Sequence, residues 1–185
     1  MHWLRPDPGA SETAVLVPVP TAEPVVGTHR TRLDPAARWG VPAHVTVLYP
    51  FVPPTELTDV HLKLLAATVG AVSAFTCTFS RTAWFGQEVL WLAPDPDGPF
   101  RALTTAVSTA FPDYPPYGGA YADVIPHLTV GEQDADGADA LRAAEAEVRP
   151  RLPFGTSVDS VLVLAGAPVD GAWQTLCALP LGPTA

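Results

Sequence analysis

Residues 42–51, PAHVTVLYPF, decide the fold together with a later echo at 126–131, PHLTVG. Each is a short run of β-branched and apolar residues entered through a proline, which predicts a strand. Each carries His-x-Thr: His44 with Thr46, and His127 with Thr129. Side chains alternate along a strand, so residues two apart share a face. Each copy therefore offers an imidazole beside a hydroxyl, while Val45 and Val47, or Leu128 and Val130, turn toward a core. One such pair arises readily in a half-buried strand. Two in matching contexts, each followed by a helix-like segment, mark a site.

Working outward, residues 13–19 read as a first strand and 20–41 as a loop with one helical turn. That loop holds His29, Arg30, Arg32 and Arg38. After the first motif, Thr55 is placed to cap a helix over 56–72, with Leu57, Val60, Leu64, Leu65 and Val69 at helical spacing. Residues 75–85 alternate by two and return over 88–93 as a hairpin through Gly86-Gln87. A helix is predicted over 99–111, a loop rich in Pro, Gly and Tyr over 112–125, and a helix over 138–152. Strands over 154–167 and 172–181 close the chain across a turn at Asp170-Gly171. The order after His44 repeats after His127. The reading is a single α+β domain over 13–182, following a flexible stretch at 1–12. Within it two strand–helix–hairpin units, roughly 13–94 and 98–181, are related by a pseudo-twofold axis. They form two antiparallel sheets around a central cleft, with the helices outside.

The chain has 185 residues, 48% of them hydrophobic, enough for one domain with a substantial core. Its formal charge of −9 weighs against a long nucleic-acid footprint, because such binding draws most of its nonspecific affinity from neutralised phosphates. A small phosphorylated ligand in a locally favourable cleft stays compatible with that charge. No apolar run approaches the roughly 20 residues of a membrane helix, and residues 1–12 lack the apolar core of a secretory signal. Cys77 and Cys177 have no metal-type spacing and fall in predicted strands, as buried free thiols would. A cytoplasmic monomer without cofactor or membrane partner is the expectation.

Two imidazoles and two hydroxyls across a cleft suit phosphoryl chemistry. Histidine titrates near pH 6.5, so one ring can accept a proton while the other gives one. In-line displacement at phosphorus needs that base and acid on opposite sides of the phosphate. Thr46 and Thr129 are then placed to hold the non-bridging oxygens. Two histidines without clustered Asp, Glu or Cys are too few ligands for zinc, and no G-x-S-x-G elbow supports a serine triad.

These motifs, with GVPAHVTVLYPF, VLWLAP and the stretch from Phe111 through YPPYGGAY to PHLTVG, resemble the two-histidine (2H) phosphoesterase superfamily. Its best-known members are 2′-5′ RNA ligases and cyclic phosphodiesterases, and the likeness is to the bacterial 2′-5′ RNA-ligase-like branch. It spans residues 14–181. It implies opening of a 2′,3′-cyclic phosphate or related cyclic phosphodiester of a nucleotide or RNA end, without metal. By the same resemblance His44 is the acid and His127 the base in hydrolysis, with the roles reversed for ligation. Ligation of 2′-5′ ends, or nucleotide binding without turnover, are the alternatives. Trp84, Trp91 and Tyr121 are candidates for stacking a nucleobase, Trp91 ahead of the others because Leu90 and Leu92 can take the core face. Arg30 and Arg38, from the basic loop, are candidates for a phosphate contact, with a solvated surface as the ordinary alternative. His61 reads as structural or exposed, and the acidic run at 132–139 as a solvated loop and helix start.

Overall fold

The computed structural model describes residues 3–121, 123–133 and 138–184. In chain order its elements are β1 (Glu12–Pro18), α1 (Glu23–Leu33), α2 (Pro35–Arg38), β2 (His44–Leu48), α3 (Asp59–Gly70), β3 (Phe75–Phe85), β4 (Val89–Asp95), α4 (Gly98–Ala110), β5 (Leu128–Glu132), α5 (Ala138–Val148), β6 (Phe154–Val158), β7 (Ser160–Gly166) and β8 (Gln174–Pro180). The strands form two four-stranded sheets, ordered β2-β1-β7-β8 and β5-β4-β3-β6. Every pairing is antiparallel. Each motif strand is the edge of its sheet, and β2 packs against β5. Helices α3 and α4 pack together over the first sheet, and α1 and α5 over the second. This is the expected α+β architecture, with two antiparallel sheets in a single domain.

Burial follows the alternation. Val45, Val47, Leu128 and Val130 join the main apolar core, which also takes Leu62, Leu65, Phe79, Phe100 and Leu103. On the cleft-facing side of the first sheet, Ala14, Leu16, Val41, Leu164 and Trp173 form a second, smaller cluster, and all but Leu164 line the cleft. Cys77 is buried, which pushes its thiol up to about 11, and Cys177 is half-buried. In the N-terminal stretch Trp3 and Leu4 touch the domain. Trp3 is buried and donates to Asp59 Oδ1 at 2.7 Å, and the Leu4 amide donates to the Leu176 carbonyl.

Four local expectations are corrected. The segment read as a loop with one turn contains the eleven-residue helix α1. Its buried face is Val26, His29, Arg30 and Leu33, which is helical spacing concealed by two polar members. Helix α3 starts later than expected, capped by Thr58 rather than Thr55, and the Thr58 amide donates to His61 Nδ1 at 3.2 Å. Its buried face is Leu62, Leu65 and Val69, leaving Val60 and Leu64 exposed. The run at 154–167, read as one strand, breaks at Asp159: β6 pairs with β3 in one sheet, and β7 with β1 and β8 in the other. The chain changes sheets there, which apolar content cannot reveal. Of the acidic run at 132–139, residues 134–137 lie outside the described residues. Glu132 is no loop residue; it ends β5 and lines the cleft.

The α1–β5 seam is tight. A Cβ at Gly131 would lie 2.6 Å from Leu33 Cβ and 2.9 Å from Leu141 Cδ2. Gly131→Ala is therefore expected to destabilise the domain by about 1–3 kcal/mol through overpacking. Urea denaturation monitored by circular dichroism checks this. A midpoint unchanged from the parent would show that the seam yields.

Candidate active site

The two motif strands build the site by the same local device. In β2 the ladder to β1 runs Leu48↔Val15 and then Thr46↔Leu16, so Val47 is an extra residue. In β5 the ladder to β4 runs Gly131↔Leu90 and then Thr129↔Trp91, so Val130 is extra. Each is a β-bulge placed directly after the motif threonine. A bulge shifts the side-chain phase by one residue. Leu48 and Gly131, which plain alternation would turn to the cleft, face the core. Tyr49 and Glu132 turn to the cleft in their place. The working pattern is thus His-x-Thr-x-x-Xaa, completed by Tyr49 in one strand and by Glu132 in the other.

His44, Thr46, His127 and Thr129 line one chamber of about 300 Å³, with Tyr49, Tyr117, Glu132, Asp34 and Trp173 around them. The rings are oriented alike. His44 Nδ1 lies 2.7 Å from the Pro42 carbonyl, and His127 Nδ1 lies 2.7 Å from the Ile125 carbonyl. A carbonyl only accepts, so each Nδ1 carries the proton and donates. Each Nε2 is left to take or give a proton. Burial lowers the His44 pKa to about 4, helped by the charge of Arg30 and, to a smaller extent, of His127. Burial also lowers the pKa of His127. Both rings are therefore neutral in the free protein at pH 7.

Arg30 explains part of that field. It is 2% exposed. Its Nε donates to Asp34 Oδ2 at 2.9 Å, and its Nη2 lies 2.8 Å from the same carboxylate and 3.3 Å from the Val41 carbonyl. Asp34 also accepts from the Ala36 amide, capping α2, and lines the chamber. Arg30 thus acts on His44 through its charge, with its guanidinium engaged by protein groups. Arg38 is exposed and donates to the Arg32 carbonyl. Trp84 donates to Glu145 of α5 at 3.1 Å. None of Arg30, Arg38 and Trp84 lines the chamber or the cavity that adjoins it. Trp91 is buried, stacked on Phe85 at 4.8 Å, with His127 packed edge-on against both rings. Tyr121 is 64% exposed and lines the adjoining cavity. His29 is buried on α1, 3.6 Å from Glu147, away from the cleft.

Several cleft residues are not evident from the sequence. Tyr117 has φ 52° and ψ 34°, a left-handed conformation that a tyrosine rarely adopts. Its amide donates to the Tyr49 carbonyl at 2.6 Å, and burial raises the pKa of its phenol. It lines both the chamber and the adjoining cavity of about 940 Å³. The Gly118-Gly119 pair after it is the one local signal of a special turn. Among the described residues, no group of three or more His, Cys, Asp or Glu side chains is placed to hold a metal ion. No helix there is long and apolar enough to cross a membrane.

Residues 17–167 match the family model described as the 2′-5′ RNA ligase superfamily, which covers both histidine motifs. The chain belongs to this superfamily. Solved structures agree in fold with this superfamily member. TT0787 of Thermus thermophilus superposes with a TM-score of 0.65 at 17% identity, covering 93% of this chain and 98% of that one. Escherichia coli LigT complexed with NADP+ gives 0.56 at 16% identity, over 94% and 98% of the two chains. LigT complexed with 3′-AMP gives 0.55 at 15% identity, over 93% and 98%. No match to a curated protein sequence was found.

Proposed function

We propose that this superfamily member is a metal-independent phosphodiesterase that opens the 2′,3′-cyclic phosphate of a nucleotide or RNA end. One observation carries the reading: two Nε2 atoms, each freed by an Nδ1–H bond to a carbonyl, share a chamber with two threonines. His127 removes the proton of an attacking water, and His44 gives a proton to the departing ribose oxygen. Thr46 and Thr129 hold the non-bridging oxygens as charge builds on them. The order of the two histidines follows the family resemblance. The ligands of the LigT structures, 3′-AMP and NADP+, are nucleotides, in keeping with a nucleotide-sized cavity beside the chamber. The test offers purified protein, in EDTA, a panel of 2′,3′-cyclic mononucleotides, ADP-ribose cyclic phosphate and cyclic-phosphate-ended oligonucleotides. Opening of at least one is expected; a panel left wholly intact overturns the proposal.

The pH dependence is fixed by sign. Activity needs one Nε2 bare and the other protonated, so kcat/KM is bell-shaped. Both pKa values lie below 6.5 in the free protein, so the bell peaks on the acid side of 6.5 and declines toward neutrality. The bound phosphate anion favours imidazolium, so the kcat profile is displaced to higher pH. A kcat/KM maximum above pH 7 would contradict the assignment. Stability follows the same groups. Neutral His44 is favoured in the fold, so its contribution is complete above pH 6.5. It is lost as pH falls toward about 4, since the unfolded chain protonates first.

A further inference from the structure

We propose that Glu132 tunes the site's preference for charge, favouring a nucleoside that carries only the phosphate held between the histidines over one that carries a second, free phosphate monoester. The inference rests on the reading of the chamber as a phosphate site, and it concerns what lies beyond that phosphate. The chamber of about 300 Å³ opens into the cavity of about 940 Å³, and the two share Tyr117, His127, Thr129 and Glu132. With the phosphate between the histidines, the nucleoside has the larger space to occupy, within the roughly 300–1,000 Å³ usual for small-molecule sites. Phe85, Tyr117 and Tyr121 supply apolar surface there.

Its charged lining is of one sign. Among the described residues no Lys or Arg lines either space, whereas Asp34, Glu88, Asp123 and Glu132 do; Asp34 is paired with Arg30. Asp123 is paired with Arg101 at 2.7 Å. Glu132 has no cation against it among the described residues. Its side chain stays open to solvent on the cleft side. Partial burial and the neighbouring charge of Asp34 raise its pKa, as expected for a carboxylate facing a cavity without a counter-charge. The bulge at Val130 puts it there, at the mouth between the two spaces. A carboxylate in that position accepts a hydrogen bond from a ribose hydroxyl or a base amino group. It repels a second phosphate with less screening than on an open surface, because the cleft walls exclude part of the surrounding solvent.

The experiment measures binding of adenosine 3′-monophosphate and adenosine 3′,5′-bisphosphate by calorimetry, to the parent protein and to Glu132→Gln. The parent is expected to prefer the monophosphate by roughly tenfold, the scale of a like-charge contact in a partly screened site. Glu132→Gln, which keeps the shape and removes the charge, should shrink that ratio severalfold. Added salt should shrink it in the parent and hardly alter it in the variant. Equal or tighter binding of the bisphosphate by the parent overturns the proposal, as does a ratio unchanged by the substitution or binding of neither compound. Binding with the expected ratio, but without opening of any cyclic phosphate, upholds the charge selection and removes the hydrolytic reading instead.

Discussion

Replacing His44 or His127 by Ala should each lower kcat/KM for cyclic-phosphate opening by about 10²–10⁴-fold, the usual worth of a positioned acid or base. The double variant should be little worse than the weaker single one, because groups that act as a unit are not additive. Thr46→Ala and Thr129→Ala remove a hydrogen bond and no proton transfer, so their losses should be smaller. A substrate with an activated leaving group separates the two histidines. Its departing oxygen needs little protonation, so it should restore the variant lacking the acid and leave the other dead. Under the proposed order the restored variant is His44→Ala. Restoration of His127→Ala would keep the mechanism and exchange the roles. Full activity in either single variant would end the acid–base account.

Arg30→Leu should produce the largest loss of stability of any change considered. It leaves the buried Asp34 carboxylate without its partner, and breaking a buried ion pair from one side costs about 3–5 kcal/mol. For a chain of this length that corresponds to a fall in Tm on the order of 10 °C. The double change Arg30→Leu with Asp34→Leu should recover part of the loss, since neither charge is then stranded. A second readout separates support of the site from mere packing. The Arg30 charge lowers the His44 pKa, so Arg30→Leu should raise it, as followed by NMR of the ring. A variant as stable as its parent, with an unmoved His44 titration, would show that the pair supports neither fold nor site.

How far the sequence reveals this site follows from which side-chain periods survive in it. The His-x-Thr pairs are legible because strand alternation holds from His44 to Thr46 and from His127 to Thr129. Beyond each threonine a bulge resets the phase, so Tyr49 and Glu132 are invisible as cleft residues, and Glu132 reads as the start of a solvated acidic run. Helix α1 is hidden because its buried face includes His29 and Arg30, polar groups satisfied by tertiary partners that no local pattern shows. Tyr117 reaches the cleft through a left-handed turn, a backbone choice its own residue type disfavours. The split at Asp159 depends on which strands β6 and β7 pair with, a long-range matter.

Gly131 bears on how the protein can move. Leu33 at the end of α1 occupies the space a side chain at Gly131 would need, so α1 bears directly on the strand that carries Thr129 and follows His127. Three residues earlier on that helix Arg30 donates to the Val41 carbonyl, just ahead of the strand that carries His44, and Asp34 follows Leu33 at once as part of the chamber wall. One rigid rod thus braces both jaws of a vice and fixes its aperture. Such a frame should leave the two motif strands little room to part when a ligand enters. The rim is the open side, where Tyr121 stands exposed beside the Tyr117 turn, its ring 5.7 Å from that of Tyr117.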